Sequence, residues 1–151
     1  MRNITEESAK SSFSHTVYYE IGSIEKVLRV RVLDLMDLFE NYSHYAIRFE
    51  YFNAEAEQHF IINVPGEEIE DFDLALDRIL AFFDSKSENY AEVVFNSTEG
   101  FETGCYWDTV KLKWVGYARL GQNPESIIRF SKKDYLKFVS LIKKAKERIT
   151  Q

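Results

Sequence analysis

Four side chains along one stretch of this 151-residue chain, Lys111, Lys113, Tyr117 and Arg119, place cations at alternating positions beside an aromatic ring. Cations so spaced suit phosphate or carboxylate oxygens, and a ring among them suits a stacked base. A second cluster has the opposite sign: Glu67, Glu68, Glu70 and Asp71 follow Pro65-Gly66 directly. Carboxylates there can meet a basic partner, and they also suit the positive end of a helix. These eight residues are the candidate binding residues. Arg29, Arg31 and Arg48 extend the basic surface if their strands are neighbours of the first group.

Catalytic patterns are missing from the chain. It contains no glycine-rich phosphate loop, no dinucleotide fingerprint, no G-x-S-x-G elbow and no H-E-x-x-H. His15, His44 and His59 fall in predicted strands at spacings unsuited to a shared metal, and read as strand histidines. Cys105 shares an apolar face with Phe101 and Trp107 and reads as a small buried hydrophobe. The acid pairs Asp34/Asp37, Glu67/Glu68 and Asp71/Asp73 read as solvated or helix-start carboxylates. The expectation is a non-enzymatic protein with no catalytic, metal-ligating or cofactor-binding residue and no cofactor.

Hydrophobic residues form 45% of the chain and aromatics 15%, enough apolar area for one core. A single cysteine excludes an internal disulfide and fits a reducing compartment, so the cytoplasm is expected. Neither a secretory signal nor an apolar run of membrane-spanning length is visible, and no membrane association is expected. The formal charge of −6 conceals an asymmetry: residues 1–105 hold 21 acids against 8 bases, and residues 106–151 hold 4 against 11. Segregation of this kind points to a charged partner.

The elements that must position these residues follow from periodicity. Residues 1–13 are expected to be a flexible tail, and residues 14–151 a single α+β domain. Alternation predicts strands through Val17–Ile21, Leu28–Val32, Tyr45–Tyr51 and Phe60–Val64, with Leu35, Met36, Leu38 and Phe39 in a short helix between the second and third. Ile69, Phe72, Leu76, Ile79 and Phe83 recur at helical steps. Strands return through Ala91–Phe95, Phe101–Trp107, Val110–Leu120 and Ile128–Phe130, with Val110, Leu112 and Trp114 assigned to the core face. A last helix starts at Ser131 as N-cap, with Asp134 three residues on, and carries Tyr135, Phe138, Ile142, Ala145 and Ile149 on one side.

A shift of 66 residues superposes Ile62 on Ile128, Val64 on Phe130, Ile69 on Tyr135, Phe72 on Phe138 and Leu76 on Ile142. Antiparallel sheet packed by two main helices is the predicted fold, and residues 14–84 and 90–149 can form two ββββα repeats. As element order, a twice-used ββββα unit resembles the fold shared by the Whirly and PUR-repeat families of single-stranded nucleic-acid binders. That resemblance implies nucleic-acid binding on a basic, aromatic sheet face. The expectation placed ahead of it is a protein partner, met by a small acidic inhibitor- or immunity-type module. Its basis is the acidic segment from Glu50 to Asp84 and the high Tyr and Phe content.

Overall fold

The period-two segments form eight strands and the period-3.6 segments two helices in the computed structural model, which describes residues 10–150. In chain order they are β1 (Ser14–Ile24), β2 (Leu28–Asp37), β3 (Tyr42–Asn53), β4 (Gln58–Pro65), α1 (Ile69–Phe82), β5 (Glu92–Asn96), β6 (Phe101–Asp108), β7 (Lys113–Leu120), β8 (Ile127–Phe130) and α2 (Lys132–Thr150). Strands β1 to β4 make one antiparallel meander and β5 to β8 a second, so each half is a four-stranded sheet followed by a helix. Most of the expected tail lies outside the described residues, but Phe13 is engaged. Its carbonyl accepts a hydrogen bond from the Leu38 amide at 2.7 Å, and its ring meets Phe39 edge-on at 5.6 Å.

The ladder registers align the halves. Tyr19, Val32, Ile47 and Val64 lie in one row across the first sheet, and Val93, Cys105, Gly116 and Phe130 in one row across the second. The 66-residue shift holds for β4 and α1 against β8 and α2. Upstream the spacing widens, because the strands of the first half are longer.

The expected helix between β2 and β3 does not form. Leu35 and Met36 continue β2 as far as Asp37, and a four-residue loop turns directly into β3. The Asp37 carboxylate accepts the amides of Phe39 and Glu40 at 2.9 and 3.2 Å, and Asn41 takes a left-handed φ of 54°. The same device recurs twice: Asn53 accepts the Ala56 amide with Glu57 left-handed, and Asp108 accepts the amides of Val110 and Lys111 with Leu112 left-handed. A carboxylate or amide oxygen that satisfies loop amides competes with helix formation, which explains why a short apolar run here turns instead of coiling.

Both helices lay their apolar stripe inward. Ile69, Phe72, Leu76 and Ile79 of α1 and Tyr135, Phe138, Ile142 and Ala145 of α2 are buried. Each helix also crosses to the other half: α1 packs on β5 and β6, and α2 on β1 and β2 as well as β7 and β8. One aromatic cluster therefore joins the halves. Phe49 stacks on Phe101 at 4.4 Å, Phe72 stacks on Phe95 at 5.1 Å, and Phe138 meets Phe49, Phe101 and Phe130.

Candidate binding groove at the β6–β7 tip

The eight candidate residues do not share one surface. Lys113, Tyr117 and Arg119 lie along the outer face of β7, but Lys111 belongs to the turn before it. Tyr117 donates its hydroxyl to Glu102 at 2.5 Å, and Arg119 donates to the other oxygen of that carboxylate at 2.9 Å. Burial, with help from the Glu102 hydrogen bond, pushes the Tyr117 phenol far above its ordinary pKa. The far end of the basic strip is thus internally neutralised. Arg29, Arg31 and Arg48 sit on the first sheet and do not continue it. Glu20 and Glu50 pair with Arg29, Glu50 with Arg31, and Asn63 accepts from Arg48 at 3.0 Å, while Arg31 and Arg48 lie over the Tyr18 ring.

The acidic cluster divides in the same way. Glu67 and Glu68 lie in a single 3-10 turn ahead of α1, and Glu70 and Asp71 in the first turn of the helix itself. Glu68 reaches the β5–β6 turn, where Ser97 Oγ and the Thr98 amide donate to one oxygen at 2.8 and 3.0 Å and the Thr98 hydroxyl donates to the other. Burial raises its pKa, but these three donors outweigh it and hold the carboxyl below the ordinary range. Glu70 lies 3.4 Å from Lys146, and further along α1 Asp73 and Asp77 pair with Lys143 and Lys146 of α2. Part of the charge asymmetry along the chain is therefore cancelled between the two helices. Asp71 and Glu67 form no ion pair among the described residues.

Val110 and Leu112, expected in the core, are instead 88% and 69% exposed. Strand β7 begins only at Lys113, so its inward face is Trp114, Gly116, Ala118 and Leu120. The loop held by Asp108 carries Val110, Lys111 and Leu112 outward at its tip. The two loop amides hold the Asp108 carboxyl below its usual range.

Beneath this tip runs an open groove of about 750 Å³. Its apolar lining comes from Phe83, Trp107, Trp114 and Phe130, and the Trp114 indole donates to the Ser85 carbonyl at 3.1 Å. Lys86, Lys111, Lys113, Arg129 and Lys132 face it against only two acids, Asp84 and Asp108. Lys132 pairs with Asp84 at 2.6 Å, and Asp108 is engaged by backbone amides. Lys86, Lys111, Lys113 and Arg129 have no carboxylate partner among the described residues. Ser131 and Lys132, at the start of α2, close one side, and Ser131 caps the helix by accepting the Asp134 amide at 3.2 Å. The helix dipole adds to the positive field there.

The groove can hold carboxylates or phosphates against an apolar lining. Sequence reasoning found Lys111 and Lys113 of this site and missed Lys86, Arg129, Lys132 and the tryptophans, which come from four separate segments. The break between the predicted strands at Trp107 and Val110 marked the turn, and extending it to the four-residue loop held by Asp108 places Val110 and Leu112 at the tip.

Cys105 is fully buried, and burial pushes its thiol up to about 12. Among the described residues no group of three or more His, Cys, Asp or Glu side chains is arranged to hold a metal ion, and no helix is long and apolar enough to cross a membrane. Comparison with known families, curated proteins and solved structures found no match to this chain.

Proposed function

We propose that this is a non-enzymatic binding protein that docks an acidic, partly apolar surface of a protein partner on the β6–β7 tip and the groove beneath it. Leu112 carries the reading. It combines a left-handed φ of 54° with 69% exposure, whereas the matching positions in the two sister loops are Asn41 and Glu57. A left-handed leucine costs about 1–2 kcal/mol, and leaving its side chain in water forgoes burial. Local disfavour of this kind concentrates at functional sites. Apolar side chains interleaved with Lys111 and Lys113 form the anchor-and-rim pattern of protein interfaces.

The partner's sign is acidic, opposite to the one expected from the Glu50–Asp84 segment, because several of those carboxylates are engaged by Lys143, Lys146, Ser97 and Thr98. Occluding an acidic surface on another protein, as an inhibitor or immunity-type module does, requires no chemistry beyond this groove. Support for a nucleic-acid platform on the sheet is weaker, since Tyr117 and Arg119 are tied to Glu102.

Two variants test the proposal. Leu112→Asn should raise stability by about 1 kcal/mol in urea denaturation while weakening partner capture. Lys111→Glu with Lys113→Glu should abolish capture of the acidic partner with no loss of stability. If the same pair of reversals instead abolishes a steeply salt-dependent retention on single-stranded DNA, the partner is nucleic acid and the protein reading is wrong.

A further inference from the structure

The β2–β3 hairpin ends in the same loop as the β6–β7 hairpin, with the charges reversed. In both, an aspartate at the end of the first strand, Asp37 or Asp108, accepts two loop amides, and the fourth loop residue, Asn41 or Leu112, is left-handed. The β6–β7 tip is Val110, Lys111 and Leu112, followed by Lys113. The β2–β3 tip is Leu38, Phe39 and Glu40, with Asp34 and Asp37 behind it. Phe39 and Tyr42 are 64% and 62% exposed, and Phe13 and Leu38 extend the apolar patch. None of Asp34, Asp37 and Glu40 has a cationic partner among the described residues. An apolar patch with an aromatic protrusion and acids that no cation neutralises, Glu40 free among the described residues and Asp34 and Asp37 held only by Ser43 and the loop amides, is the kind of surface the basic groove would accept, and each molecule presents both.

We infer that a second copy of this chain is a partner: the acidic, aromatic β2–β3 tip of one protomer seats in the basic groove beneath the β6–β7 tip of another. This rests on the reading of the groove as an acceptor for acidic, apolar surfaces. Phe39 supplies the apolar anchor, and Glu40 faces the cations Lys111 and Lys113. Asp73, Asp77 and Glu68 already have partners within their own chain, and Glu67 and Asp71, unpaired among the described residues, stand beside Ile69 and Phe72, which are buried and offer no apolar anchor. The contact joins unlike patches, so every copy is both donor and acceptor, and association either closes into a dimer or ring or runs on as an open chain.

Charge exchange tests this directly. Sedimentation of the full chain across a concentration series should show mass above the monomer at low salt, falling with dilution and with added salt. Glu40→Lys and Lys111→Glu, each alone, should weaken association roughly tenfold or more, and their equimolar mixture should recover it, because each then offers the charge the other lacks. Phe39→Ser should abolish association at any salt while leaving the far-ultraviolet spectrum unchanged. A wild type that stays monomeric at every concentration and salt overturns the inference. So does association that survives Glu40→Lys and Phe39→Ser. Loss of an acidic partner on reversing Lys111 and Lys113, in a monomeric wild type, overturns self-association alone and leaves the groove reading standing.

Discussion

Gly116 shows how finely single residues distinguish the two halves. It occupies the ladder position that Ile47 holds in the first sheet, and Tyr135 occupies the helix position of Ile69. A Cβ on Gly116 would lie 2.7 Å from the Tyr135 ring and 3.1 Å from Phe83, so a small residue on the strand makes room for a large one on the helix. The Tyr135 hydroxyl sits 2.8 Å from Thr103 Oγ1, which itself donates to the Tyr117 carbonyl at 2.7 Å. The single Thr103 hydrogen goes to that carbonyl, so Tyr135 must be the donor, and both buried hydroxyls are satisfied. Gly116→Ala should destabilise the protein by about 1–3 kcal/mol through overpacking, read as a lower urea midpoint at unchanged slope. An unchanged midpoint would mean that Tyr135 can move aside at little cost.

At the scale of elements, the α1–α2 contact is ionic as well as apolar. Lys143 and Lys146 reach Asp73 at 2.8 and 2.9 Å, and Lys143 also reaches Asp77 at 2.9 Å. Burial alone would raise the Asp73 pKa, but the hydrogen bonds and charges of the two lysines outweigh it and the carboxyl is held below its ordinary value. A carboxyl whose folded pKa lies below the unfolded one adds stability above the unfolded value and loses it as pH falls through the folded one. The contribution of Asp73 should therefore be complete at neutral pH, begin to fall as pH nears the unfolded value of about 4, and be gone only below the lower folded value. Asp73→Asn should cost about 1 kcal/mol at pH 7, reduced by the solvent exposure of Lys143, and should flatten the acid limb of a stability-against-pH curve. A mutant curve parallel to the wild type from pH 7 to acid would show that the pair contributes nothing.

The whole molecule is two copies of one plan that share a single core. Phe49 of the first sheet stacks on Phe101 of the second, and each helix covers strands of the other half. Neither half can bury its aromatic face alone, so unfolding should be a single cooperative transition. A chain divided after Lys86, between α1 and β5, should give two fragments that are unstructured apart and regain strand and helix signal only when mixed. A cooperative unfolding transition in either isolated fragment would show that its core is self-sufficient. The same intertwining explains the charge segregation: an acidic first helix and a basic second helix attract, which favours the docked arrangement.

Period two and period 3.6 are local properties, so the eight strands, the two helices and their buried faces were legible from residue order. The recurrence of apolar steps after 66 residues likewise exposed the paired ββββα plan, because β4 and α1 keep the spacing of β8 and α2. The β2–β3 loop was misread because Leu35, Met36, Leu38 and Phe39 are apolar at helix-like spacing, and the true start of β7 because the apolar Val110 and Leu112 were assigned to the core face. Their exposure depends on where Asp37 and Asp108 end the strands. The fate of the charges was not readable from sequence at all. Whether Glu68, Asp73 or Arg119 faces a partner or its own chain depends on contacts between residues 17 to 73 positions apart, and folding alone sets those distances. Pairing occupies these groups within the chain, while Lys86, Lys111, Lys113 and Arg129 in the groove have no carboxylate partner among the described residues.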